Sequence, residues 1–310
     1  MLKFPLALLV IALAAIAAIA SPTMLIVVGA AGEDEFGQMF DEWAQQWQEA
    51  CAKGGATAIR VGGTTNDFDL VHSNLVTAST NQMDEFWLVL IGHGTFDGKE
   101  ARFNLRGPDL TATDLANWLK PLRPPVAIVD CSSASGAFLA KVSATNRVVI
   151  TATRSGYEQN FARFGGFISK AISDSQADLD KDGQTSLLEA YLTASRQVAE
   201  FYKTEGRLAT EHPLLDDNGD GLGTPADWFR GIRAVKRPRD GAAIDGLRAH
   251  QFHLVRSGSE QKMAADIRSR RDAIELQIAK LRENKGSLPE DEYYRMLEPL
   301  LLDLARLYHQ

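Results

Sequence analysis

The sequence predicts an α/β fold: a mostly parallel sheet with helices on both faces. Three observations carry this. Short apolar runs bounded by glycine alternate with amphipathic stretches through residues 24–172. The runs are near-continuously hydrophobic, as in parallel strands buried on both sides. The 310 residues are 45% hydrophobic and 24% charged, enough for a sizeable core.

The elements follow in order. MLIVVGA (24–30) is a buried strand. In 38–53, Phe40, Trp43, Trp47 and Cys51 fall at three- and four-residue spacing, an amphipathic helix ended by Gly54 and Gly55. TAIRVGG (57–63) is a strand and 68–78 a helix. EFWLVLIGH (85–93) is a strand that runs into a polar loop, and 110–119 is a helix opened by threonine. PVAIVDC (125–131) is a strand, 136–142 a short helix, 147–154 a strand and 163–172 a helix. Ligands of such sheets bind at the carboxyl ends of the strands.

The ends differ from this middle. Lys3, the apolar run Leu6 to Ala20 and the small-x-small Ala18-Ile19-Ala20 read as a signal peptide cut before Ser21. An uncleaved anchor is the alternative, because the run is just long enough to span a bilayer. Export to a periplasm or beyond the cell is expected. From 176 to about 227, acidic glycine-rich loops dominate, and VKRPRDGAA (235–243) reads as a linker. Ile267, Ile274 and Leu281, with Ile278 beside them, form one apolar stripe. Ser287 and Glu290 suggest a capping box, and Leu297, Leu301, Leu304 and Tyr308 a second stripe kinked at Pro299. This is a helical hairpin that packs on the core or on a partner. The division is 1–20 signal segment, 21–175 first domain, 176–232 acidic loops, 233–254 linker and 255–310 hairpin.

Net charge of −7 argues against a general nucleic-acid surface. Two cysteines, Cys51 and Cys131, exclude a disulfide scaffold and a CxxC motif. Cys51 lies on a helix stripe and reads as packing. His93 and Cys131 end two consecutive parallel strands and are followed by small residues. Side chains at the same ends of neighbouring strands can meet over one crevice. An imidazole can draw the proton from a thiol, and the amides of Gly94 and Cys131 are placed to receive an oxyanion. The other reading is a core histidine and a cysteine packed as a small hydrophobe.

Strand-His93-Gly94, strand-Asp130-Cys131-Ser132, the opening LIVVGAAG and the later VVITATRSGYE together resemble the legumain-like and caspase-like (clan CD) cysteine peptidases, over roughly 24–175. The resemblance implies a caspase-hemoglobinase-like three-layer sandwich. It implies Cys131 as nucleophile, His93 as general acid/base and an oxyanion hole at Gly94 and Cys131. It also implies a substrate cleft lined by the 154–158 loop, including Ser155. One departure stands out: Gly37 and Gln38 lie where asparagine-cleaving legumains carry arginine and histidine. Glu33, Asp34, Glu35 and Asp130 instead suggest a basic P1 residue, unless 33–35 merely solvates a helix start.

Outside the resemblance, DLDKDGQTSLLE (178–189) matches an EF-hand calcium loop. Asp178, Asp180 and Asp182 stand at 1, 3 and 5, Gly183 at 6, Gln184 at 7, Ser186 at 9 and Glu189 at 12, between two expected helices. DDNGDGLGTPAD (216–227) is a weaker match, with Asp216, Asn218, Asp220, Gly221, Thr224 and Asp227. The alternative for each is a solvated acidic turn. The expected function is an exported cysteine endopeptidase acting through an acyl-thioester and binding one or two calcium ions. A transpeptidase and a catalytically silent calcium-dependent binding module are the alternatives. Expected partners are a protein or peptide substrate and a partner for the terminal helices. No nucleic acid is expected, and a membrane only if the leader stays uncleaved.

Overall fold

The computed structural model describes residues 21–81, 83–236 and 243–308. The expected leader therefore lies outside the described residues. Along the chain run β1 (Thr23–Val28), α1 (Asp34–Gly54), β2 (Thr57–Val61), α2 (Asp67–Thr80), β3 (Phe86–Ile91), β4 (Gly94–Phe96), β5 (Ala101–Phe103), β6 (Leu110–Thr111), α3 (Ala112–Leu119), β7 (Val126–Asp130), α4 (Gly136–Val142), β8 (Arg147–Thr151) and α5 (Phe164–Ala171). They continue with α6 (Leu187–Thr204), β9 (Leu214–Asp216), β10 (Thr224–Pro225), β11 (Phe229–Arg230), β12 (Arg233–Ala234), α7 (Leu247–Gln251), α8 (Gly258–Lys262), α9 (Ala265–Glu283) and α10 (Glu290–Leu307).

The main sheet has seven strands in the order β10-β9-β8-β7-β3-β1-β2. The five from β2 to β8 are parallel, and β9 and β10 add an antiparallel edge. Strand side chains alternate between two layers because the pleat has a period of two. Met24, Ile26, Trp87, Val89 and Val129 pack with Phe40, Trp43 and Trp47 of α1, and with α5 and α6. Leu25, Val27, Leu88, Leu90 and Ile128 pack with Val71 and Leu75 of α2, and with α3 and α4. Phe40 and Leu75 are fully buried, each stabilising the fold by roughly 1.5–3 kcal/mol.

Four expectations need correction. The loop after His93 is a small antiparallel sheet, β4-β5-β6, too short to leave a periodic signal. A boundary at 175 does not hold, because β9 pairs with β8 and completes the sheet from beyond it. The 233–254 linker is partly packed: α7 lies in it, and Phe252 and Leu254 enter the core. Gly54 makes room for that return, since a Cβ there would sit 1.9 Å from the Leu254 carbonyl oxygen. The hairpin forms as α9 against α10, with Pro299 inside α10. Its expected capping box does not form. Pro289 is the N-cap of α10 with no side-chain cap, and Ser287 donates instead to the Asn284 carbonyl. Ile278 and Leu281 are buried, whereas Leu301 and Tyr308 stay exposed.

Candidate functional site

The site region lies where β3 and β7 end side by side. Their register sets Leu90 opposite Asp130, so Cys131 comes directly after the ladder. Alternation then sends Val129 and Cys131 to the α1/α5 layer and Asp130 away from it. Beyond β3, His93 is half-buried, with its ring edge-on to Phe36 at 4.9 Å and near Phe40 at 5.2 Å. Its Nε2–H donates to the Ala31 carbonyl at 3.1 Å. A carbonyl only accepts, so this bond leaves Nδ1 as the ring's lone-pair nitrogen.

Cys131 is 1% exposed. It packs where α5 presses on the sheet: a Cβ added at Gly165 would lie 2.8 Å from the Cys131 Cβ and 2.6 Å from the Trp43 ring. Burial pushes the thiol well above its ordinary pKa, and the charges of Asp130 and Glu211 push the same way. The thiol is therefore protonated. Phe161 lies 6.0 Å from both the His93 and the Trp43 rings. Among the described residues, the imidazole's hydrogen bond goes to Ala31 and not to the thiol.

The expected oxyanion hole is not open. The Cys131 N–H donates to the Leu90 carbonyl at 2.9 Å, continuing the β3/β7 ladder. The Gly94 N–H donates to Ser133 Oγ at 3.1 Å, and that hydroxyl donates back to the Gly94 carbonyl. Both amides are thus engaged by the protein itself. Ser155 sits in a turn, its Oγ accepting from the Tyr157 N–H at 3.3 Å.

Asp130 does not line a cleft with Glu33, Asp34 and Glu35. Those three are exposed at the start of α1, whereas Asp130 is 1% exposed. Its Oδ1 accepts from the Ser132 N–H at 3.0 Å and the Ser132 hydroxyl at 2.6 Å, and Oδ2 has no partner among the described residues. Burial pushes its carboxyl up to about 7, against the lowering effect of the Ser132 bonds.

Glu211, which the sequence did not single out, braces this region. Buried behind α5, it accepts from the Arg163 and Phe164 N–H groups at 2.8 and 2.9 Å and from the Tyr202 hydroxyl at 3.2 Å. It caps α5 through a tertiary contact, and an isolated Glu in a loop carries no local signal for that. Next to it His212 pairs with Glu158 at 2.6 Å, tying the 154–158 loop to the chain before β9.

The first acidic loop keeps much of its expected form. Lys181 and Gly183 have φ of 66° and 91°, the sharp turn the spacing predicts. Oxygens of Asp178, Asp180 and Asp182 lie within 4.8 Å of one another, and ligand atoms of Asp180, Glu189 and His250 form a second such group. Ser186 and Glu189 form a capping box that opens α6. Gln184 reaches away through its side chain, which accepts from the Ser257 N–H at 3.0 Å. The expected preceding helix forms as α5, which ends at Ala171, and a 3-10 turn, Ser175–Ala177, leads from it into the loop. His250 from α7 was absent from the expectation because it lies far along the chain; its Nε2 is 3.0 Å from Asp180 Oδ2.

The second acidic loop is a β-turn structure rather than a helix-loop-helix. Thr224 pairs with Leu215 across β9 and β10. Asp216 spends its oxygens on the Gly219 and Gly221 N–H groups and on Ser143 Oγ. Asn218 and Asp220 accept from backbone N–H groups two residues on, as Asx turns do. Asp227 has left the loop and pairs with Lys236 at 2.5 Å. Asp245 closes the turn instead, accepting from the Asp217 N–H at 2.9 Å and the Thr224 hydroxyl at 2.6 Å.

No family model and no curated protein matches this sequence. Among solved structures, the chain is similar to the Drosophila initiator caspase Dronc, with a TM-score of 0.45 and 14% identity over 65% of this chain and 81% of that one. It is also similar to a structural-genomics protein from Geobacter sulfurreducens, with a TM-score of 0.39 and 12% identity over 63% of this chain and 92% of that one. The architecture itself is mixed α/β, with a mostly parallel central sheet between helical layers.

Proposed function

We propose that this chain is a calcium-ordered binding module on a caspase-like fold, without a working thiol nucleophile. One observation carries the reading: Cys131 is packed into the α1/α5 core with its thiol held protonated by burial. A nucleophilic cysteine needs thiolate character and access. The engaged amides of Gly94 and Cys131 support the same conclusion. Calcium would be held by Asp178, Asp180 and Asp182, whose oxygens form one group, with Glu189, which shares a second group with Asp180 and His250. Three crowded carboxylates repel one another, and a bound cation removes that repulsion and stiffens the entry to α6. The apolar leader supports export, to a compartment where millimolar calcium fills weak sites.

His93 favours a second reading, a latent cysteine peptidase of this fold. Its Nε2–H bond to Ala31 leaves Nδ1 with the lone pair a general base needs, on a ring packed against Phe40 of the layer that holds Cys131. Alkylation of the folded protein by iodoacetamide, with and without calcium and read by mass spectrometry at Cys131, separates the two. The module leaves Cys131 unlabelled until denaturant unfolds the chain. Labelling of the native protein that is lost in His93→Ala establishes the peptidase. A melting temperature unmoved by calcium removes the calcium part of the proposal.

A further inference from the structure

At the amino ends of β3 and β7, far along the strands from His93, a cavity of about 480 Å³ lies beneath α7 and α9. That size suits a small organic ligand. Its apolar wall includes Met83, Pro125, Phe252 and Leu276. Four arginines also line it, and three of them are neutralised. Arg256 pairs with Glu85 at 2.5 Å, Arg268 faces Asp84 at 3.9 Å, and Arg271 pairs with Glu260 and Asp272. Arg248 has no carboxylate partner among the described residues, and its Nε is buried with no hydrogen bond.

His253, on the same cavity, is 6% exposed. Its Nδ1–H donates to the Gln251 carbonyl at 3.2 Å, so Nε2 carries the lone pair. That Nε2 is buried and also without a partner among the described residues. Burial, with His250 and the nearby arginines, brings the imidazole down to about 3, so it stays neutral and accepts. Both side chains line the cavity, and each keeps one buried polar atom without a hydrogen bond among the described residues. Unmade hydrogen bonds of this kind are costly, and a ligand that completes both is selected over one that completes a single bond.

We propose that this cavity binds a small organic acid that also carries a hydroxyl or ammonium donor. The acid group accepts from Arg248, the O–H or N–H donates to His253 Nε2, and a short apolar tail lies along Met83, Pro125, Phe252 and Leu276. Because α9 forms one wall, the bound acid would also fasten the terminal hairpin to the sheet domain.

Calorimetric titration of the full chain with 4-methylpentanoate, 2-hydroxy-4-methylpentanoate and L-leucine tests this. At least one donor-bearing acid is expected to bind about tenfold or more tightly than 4-methylpentanoate, which lacks the donor. The arm that binds tells a hydroxyl from an ammonium. Arg248→Leu is expected to weaken that binding about tenfold or more. In the unsubstituted protein, the nitrogen resonance of His253 Nε2 is expected to shift on addition of the tighter acid, a readout independent of how the variant folds. No saturation at millimolar concentration by any of the three overturns the proposal. So does equal affinity with and without the donor, or binding that leaves the His253 resonance unmoved.

Discussion

Cys131 and Asp130 are chain neighbours that the pleat sends to opposite layers, and each is governed by burial. Around Cys131 the constraint is steric. A methyl at position 165 would meet Trp43 at 2.6 Å and Cys131 at 2.8 Å in a packed layer. Gly165→Ala is expected to lower stability by about 1–3 kcal/mol, read from the urea midpoint. Around Asp130 the constraint is electrostatic. Its folded pKa is raised to about 7 by burial, whereas the unfolded carboxyl titrates near 4. Folding favours the protonated form, so its contribution is fully present below about pH 4. It is lost as pH rises to about 7, by an amount on the order of a few kcal/mol. Asp130→Asn keeps an acceptor for Ser132 and removes the charge. Its stability relative to the parent protein is expected to rise between pH 4 and 8, measured by chemical denaturation at each pH.

The two acidic loops look alike in sequence and part company in the element each one leads into. The 178–189 loop enters a true helix, opened by the Ser186–Glu189 capping box. Ser186→Ala is expected to cost about 1 kcal/mol by loss of that cap, seen as a lowered melting temperature. The 216–227 loop enters a strand, and Asp227 turns out to an exposed pair with Lys236. A calcium-dependent rise in melting temperature is therefore expected to vanish in Asp178→Asn and to persist in Asp227→Asn. Asp227→Asn alone is expected to change stability by less than about 1 kcal/mol, as exposed pairs do. Pro225 and Gly223 were the local hint that the second loop exits without a helix.

In the whole molecule, the terminal hairpin is joined to the sheet domain through the amino ends of the strands. Arg256 reaches Glu85, Gln251 Nε2 donates to the Asp272 carbonyl, and Arg268 faces Asp84. Glu85 is largely withdrawn from water: burial raises its pKa even against the pull of Arg256. Glu85→Gln leaves the Arg256 guanidinium without its counter-charge in a mostly buried setting. A loss of about 2–4 kcal/mol is expected, with faster proteolysis in the 284–289 turn as the hairpin loosens. No helix among the described residues is long and apolar enough to cross a membrane.

The five parallel strands, the helices through 172 and the hairpin were legible along the chain, whereas the short β4-β5-β6 sheet was not. Local periodicity and glycine boundaries report directly on which faces are buried. The sharp turn of 178–189 was legible for the same reason, since a left-handed glycine and spaced carboxylates are local features. The rest depended on groups brought from far away. The Ala31 carbonyl orients His93, Ser133 occupies the Gly94 amide, Gly165 and Trp43 close over Cys131, and Glu211 caps α5. Two residues can stand at matching strand ends and still differ in access, because desolvation is set by whatever packs above them, and no spacing along a chain encodes that.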